Sequence, residues 1–244
     1  MTGQPRALLI HGMAANADTW WRVSGSLRDL GWSVETPNLL GHGGRALGTA
    51  ATSQDLAEDV WRQHPSGVDL VVGHSLGAYV ALDLVTAHPD FARMLVLEDP
   101  PSMSASVSAD DHAAAIIEGV RRAHADPAGA QATLLQANPA WDSRDAAAVV
   151  AGRLQIDPAV AGLSGAGAAG DLVSLVKAAP IPVALLAAVG DDSRLSDPAR
   201  TALLENLPPS LRAELASGHA VHRDRPQEWI DLVTRLGTSL VRAR

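Results

Sequence analysis

The sequence predicts an α/β domain: a mostly parallel central sheet flanked by helices, with a helical segment inserted before the penultimate strand. Three observations carry this. Short apolar runs alternate with helical patterns along the 244 residues, the order expected of a sheet wrapped by helices. Two runs, Leu70-Val-Val and Met94-Leu-Val-Leu, are apolar without alternation, and strands covered on both faces read that way. The stretch from 102 to 178 is rich in Ala, shows helical patterns and contains no convincing strand. It is too long for an ordinary connection between two strands.

Strands are predicted at 7–10, 33–36, 70–72, 94–97, 183–188 and 212–215. A helix over 19–30 ends at Gly31, a residue suited to the turn past a helix end. Thr52-Ser-Gln-Asp55 resembles a capping box, and the helix it opens stops at Pro65. Residues 76–87 form a helix that ends before Pro89, and 227–241 form the last one, after Pro226. Helical patterns at 111–125, 127–137 and 143–155 fill the insertion, and a Gly-rich stretch at 161–170 breaks them. The expected division is a core of residues 1–101 and 179–244, with 102–178 as a helical cap.

Composition narrows the function. The net charge is −8, and no Lys/Arg run interrupts it, so no nucleic-acid partner is expected. The chain has no cysteine, which excludes disulfides, thiolate catalysis and Cys-ligated zinc. The apolar run after the N-terminus is too short for a signal segment, and no stretch is long enough to span a membrane. The expectation is a cytoplasmic protein, monomer or homodimer, acting on a small molecule without metal or cofactor.

The most informative segment is Gly73-His74-Ser75-Leu76-Gly77, set between an apolar strand and an amphipathic helix. A serine at so tight a strand-to-helix turn takes strained backbone angles. Glycines two residues to either side let the neighbouring chains approach. The turn also places the hydroxyl near a helix N-terminus, whose free N–H groups favour negative charge. Among nine histidines, His219 follows a predicted strand and precedes the last helix, and is the expected base. His222 would point elsewhere if the local chain is helical.

Together these segments resemble the α/β-hydrolase superfamily. Ile10-His11-Gly12-Met13 is similar to its His-Gly oxyanion segment. Pro37-Asn38-Leu39-Leu40-Gly41-His42-Gly43-Gly44 is similar to its Asp-x-Pro-Gly-His-Gly loop, with Asn38 and Leu40 where Asp and Pro are usual. Gly73–Gly77 is the nucleophile elbow, and the segment from Ser217 to Pro226 resembles the one that bears the catalytic histidine. The resemblance implies an α/β-hydrolase fold, Ser75 as nucleophile, His219 as base, and an oxyanion hole from the backbone N–H groups of Met13 and Leu76. The acid usually lies third after a glycine in the loop past the fifth strand. Ser193 stands there, so Asp192 is the first candidate, Asp191 the second, and Asp99 after the fourth strand a third.

The activity so implied is hydrolysis of a carboxylic ester or lactone through an acyl-enzyme, as in serine esterases and lactonases. An uncharged, fairly apolar substrate is expected, because the insertion offers few cationic groups (Arg121, Arg122, Arg144, Arg153 and Lys177). His74, Trp141 and Met103 are candidate substrate contacts. A C–C bond hydrolase, a hydroxynitrile lyase and a slow-hydrolysing sensor would use the same residues. A cation beside the nucleophile would favour the lyase, and none is obvious in the sequence.

Overall fold

A computed structural model describes residues 4–50, 52–102, 109–168 and 172–242. Six strands, β1 (Arg6–Ile10), β2 (Ser33–Glu35), β3 (Leu70–His74), β4 (Met94–Glu98), β5 (Val183–Ala188) and β6 (Arg212–Leu215), form one sheet in the order β2-β1-β3-β4-β5-β6. Every neighbouring pair is parallel. All six lie where the sequence predicts them. From β1 the chain runs out to the edge at β2, then returns to the other side of β1 as β3. That reversal opens a crevice beyond the carboxyl ends of β1 and β3, where open α/β sheets bind their ligands.

The apolar runs without alternation are explained by the two faces. Leu8, Ile10, Val71, Leu95 and Leu97 pack on one side, against α2 (Ser53–Gln63) and α3 (Leu76–Ala87). Ala7, Leu9, Val72 and Val96 pack on the other, with Trp20, Val23, Leu27 and Trp229. α1 (Trp21–Asp29) covers that second face together with the C-terminal helix. The capping box opens α2: Thr52 accepts from the Asp55 N–H and Asp55 accepts from Thr52. The helix predicted over 19–30 divides into a 3-10 turn, Ala17–Trp20, followed by α1.

Between β4 and β5 the chain forms α4 (Ala109–Ala125), α5 (Pro127–Ala137), α6 (Ser143–Leu154), a 3-10 run Pro158–Ala168, and α7 (Leu172–Ala178). The last two carry too short or too glycine-rich a pattern to be read from sequence. Two contacts dock α6 on the core. Gly152 lies so near the loop after β1 that a Cβ there would come within 2.9 Å of Ala15. Buried Asp145 accepts from the Trp21 indole at 2.8 Å and from Arg22 at 2.9 Å.

The chain then continues through α8 (Asp197–Asn206), α9 (Val221–Asp224) and α10 (Pro226–Arg242). Asp197 lies in the first turn of α8. Ser196 stands at the cap, and Asp197 pairs with Arg200 at 2.5 Å.

Candidate active site

Ser75 sits directly between β3 and α3 with φ 55° and ψ −119°. This left-handed conformation is costly for a residue with a Cβ. Packing enforces it. A Cβ on Gly73 would fall 2.2 Å from the Gly77 carbonyl oxygen, and one on Gly77 would fall 2.3 Å from that of Ile10. The two glycines therefore let strand, turn and helix close on β1. The result is a serine held at a helix N-terminus, at the mouth of the crevice.

His219 lies in the loop between β6 and α9. Its Nδ1 meets Asp99 Oδ2 at 2.6 Å. Asp99 is fully buried and has φ 39°, so β4 turns sharply at its end and aims the carboxylate back at the imidazole. Every other bond to this carboxylate comes from β5 and the loop after it. Oδ1 accepts from Ser193 Oγ at 2.8 Å and from the Ala188 N–H at 3.3 Å, and Oδ2 accepts also from the Arg194 N–H at 2.9 Å. These donors hold the carboxylate in place, and with Nδ1 engaged by Asp99 the nitrogen of His219 left to take a proton is Nε2.

Of the three candidate acids, Asp99 is the one the structure brings to His219. Asp191 and Asp192 are exposed on a tight turn closed by Ser193 N–H to Gly190 O. Among the described residues neither bonds to His219. Ser193, at the place where an acid is usual, supplies a hydroxyl donor to Asp99. The signal available in the sequence was this pairing of a serine in the loop after β5 with an aspartate just past β4.

No hydrogen bond joins Ser75 to His219 among the described residues, but both line one cavity of about 350 Å³. Such contacts are often longer in unliganded sites. Neither Met13 N–H nor Leu76 N–H donates to a described residue, and Met13 lines the same cavity. His11 sets the orientation of the Met13 amide. Its Nδ1 lies 2.8 Å from the Gly12 carbonyl oxygen, and its Nε2 accepts the Leu39 N–H at 3.2 Å. In a trans peptide the N–H points opposite the carbonyl. Fixing Gly12 O on His11 therefore turns the Met13 N–H to the far side. The loop over 37–44 does its work here, through Leu39.

Of the expected substrate contacts, His74 and Trp141 line the cavity. Met103 lies outside the described residues. His74 also bonds the His219 carbonyl at 3.0 Å, so it braces the histidine loop. Behind it lies a pair that the sequence reading missed. Buried Glu98 accepts from the His222 N–H at 2.9 Å, His222 Nδ1 at 2.7 Å and the Trp229 indole at 2.9 Å. It anchors α9 and α10 beneath His219. Burial raises the pKa of Glu98, opposed by His74 and these donors.

Among the described residues the insertion contributes one cation to the cavity, and the core adds two more. Arg153 from the insertion and Arg194 and Arg223 from the core all line the cavity. The last two come from loops and helices that only folding brings beside Arg153.

Burial, with His42 beside it, lowers the pKa of His11 from 6.5 to about 3. Burial likewise depresses His42, and depresses His74 and His222 strongly. These native pKa values lie below the unfolded value. The stability they contribute is present above the unfolded pKa and is lost as pH falls below 6.5, for His11 down to about 3. Each such histidine costs about 1.4 kcal/mol per pH unit inside its window. The urea midpoint should therefore fall steadily from pH 7 to pH 5. A midpoint that stayed flat over that range would show that these imidazoles are not held neutral.

Comparison with known proteins bears on the fold and the family. A profile described as the alpha/beta hydrolase family matches residues 7–232. Lipase LipV of Mycobacterium tuberculosis is 34% identical over 102 residues, covering 41% of this chain and 38% of LipV. The chain thus aligns with well under half the length of that relative. Among solved structures, the N-formylmaleamic acid deformylase of Pseudomonas putida S16 superposes with a TM-score of 0.78 at 17% identity, over 95% of this chain and 92% of that one. A thermophilic esterase from Thermogutta terrifontis superposes with a TM-score of 0.75 at 20% identity, over 98% and 91%. At these identities the structures share the fold.

Proposed function

The chain belongs to the alpha/beta hydrolase family, and on that premise we propose that it is a serine hydrolase cleaving a carboxylic ester or lactone. The observation that carries this reading is the Asp99–His219 pair at 2.6 Å, whose histidine lines the same cavity as Ser75 on its strained turn. The similarity to LipV supports it.

The reaction follows from the geometry. Ser75 Oγ attacks the acyl carbon as its proton passes to His219 Nε2. The carbonyl electron pair moves onto oxygen, held by the N–H groups of Met13 and Leu76. Collapse of this adduct breaks the C–O bond, and the leaving alcohol takes the proton from His219. Water, deprotonated by the same imidazole, attacks the acyl-serine and releases the acid and Ser75. Asp99 keeps the imidazole in the needed tautomer and stabilises its cation. The inserted helices act as a cap, since Ile116, Leu134, Trp141 and Arg153 reach the cavity from α4 to α6 and the turn between α5 and α6.

The arginines of the cavity favour a second reading, hydroxynitrile lysis, because a cation can hold the departing cyanide. Two free N–H donors beside the nucleophile are what acyl transfer needs and cyanohydrin cleavage does not, so hydrolysis stands first. A fluorophosphonate probe should modify the tryptic peptide that contains Ser75. Short-chain p-nitrophenyl esters should be turned over and should protect against the label. Cyanide release from a cyanohydrin without ester turnover would establish the lyase instead.

A further inference from the structure

Arg153, Arg194 and Arg223 line the cavity that holds Ser75 and His219. Among the described residues none of the three forms an ion pair. Arg223 is 8% exposed and its Nε has no hydrogen-bond partner. Its guanidinium lies 4.4 Å over the Trp141 ring. The carboxylates around it are engaged with other donors. Asp224 accepts from the Trp141 indole at 2.5 Å and the Gly218 N–H at 2.7 Å. Glu98 is held by His222 and Trp229, and Asp145 by Trp21 and Arg22. The Arg194 Nε is likewise buried without a partner.

Arg153 lies half-buried against α4, where Gly119 makes room for it. A Cβ there would come within 3.1 Å of the guanidinium carbon. Burial and Arg122 lower the pKa of Arg153, and burial lowers that of Arg223 to about 10. Both remain cations at neutral pH. The other lining carboxylate, Asp192, stands exposed. A chain of net charge −8 thus gathers in one cavity three guanidinium groups without an ion pair among the described residues. Arg153 and Arg194 are part-buried. Arg223 is buried, with the charges of Glu98, Asp224 and Asp145 favouring its cation. Taking guanidinium groups out of water is costly. A bound anion offsets that cost.

We propose that the ester cleaved by Ser75 carries a second, free carboxylate, which docks on Arg153 and Arg223 while the scissile carbonyl sits at the nucleophile. The substrate class is the half-ester of a small dicarboxylic acid. This replaces the uncharged substrate expected from sequence, and it rests on the reading of Ser75 as nucleophile. Planar guanidinium groups bind carboxylates through paired, charge-assisted hydrogen bonds. A cavity of about 350 Å³ suits a small molecule of this kind.

The test compares mono-p-nitrophenyl adipate with p-nitrophenyl 6-methylheptanoate, its neutral isostere. The wild type should favour the adipate in kcat/KM by about 10- to 100-fold, the range of a hydrogen bond to a charged group. In Arg153→Gln the ratio should collapse toward one, mostly through KM. In Arg121→Gln, on the exposed face of α4, it should persist. A wild-type ratio near one, with the neutral ester well hydrolysed, would overturn the carboxylate site and leave the hydrolase reading intact.

Calorimetry of monomethyl adipate on Ser75→Ala separates the two readings. Binding that weakens at least tenfold when Arg153→Gln is added supports the site even if no ester is turned over. Equal binding by both proteins counts against it.

Discussion

Asp99→Asn is expected to lower kcat for ester hydrolysis about 10,000-fold, the loss seen when a triad carboxylate becomes an amide. The fold should survive, because Asn has nearly the same shape and the site is built by backbone around it. The loss arises at His219. Asp99 Oδ2 receives the imidazole Nδ1 at 2.6 Å, and the imidazolium formed during attack is stabilised by that negative charge. An amide removes the charge and can present N–H toward Nδ1, which selects the wrong tautomer. KM should change little, since Asp99 is fully buried behind the histidine. Asp192→Asn should cost far less, because Asp192 is exposed and makes no bond to His219. Steady-state kinetics on both variants, with circular dichroism as the check on folding, decide the matter. A greater loss in the Asp192 variant would transfer the role to the loop after β5.

Ser75→Ala should lower kcat by about a million-fold, the scale found when a serine protease loses its nucleophile. What remains should still exceed the uncatalysed rate by about a thousandfold, from the oxyanion donors and binding alone. The variant is a clean one. Ala and Ser pay the same price for φ near 55°, and Gly73 and Gly77 still allow the turn to close. Hydrolysis should be followed after titration of active sites with a fluorophosphonate, so that traces of wild type are counted. Residual turnover above about a thousandth of wild type would show that another group performs the attack.

Much of this site could be read along the chain. The six strands declare themselves as short apolar runs, and the elbow as two glycines around a serine between strand and helix. Thr52 and Asp55 mark the start of α2. His219 follows from its position between the last strand and the last helix. Each of these depends on residues a few places apart, and the physics involved is local: side-chain periodicity, capping, and the clash that a Cβ would make in a tight turn.

The groups that act across the sheet were not legible in that way. Asp99 and His219 are 120 residues apart. An acid at the end of β4 or of β5 could reach the same imidazole. The choice falls to Asp99 because the chain turns at φ 39° there, and because Ser193 and Arg194 of the neighbouring loop donate to it. Glu98 beneath His222, and the gathering of Arg153, Arg194 and Arg223, are of the same kind. By itself the sequence determined the sheet and the turn that bears Ser75, and marked out His219, because short-range sterics and periodicity specify them. Only the tertiary structure brought Asp99 to His219 and gathered the arginines of the cavity, because hydrogen bonds and burial among distant segments exist only once β4, β5 and the inserted helices are packed together.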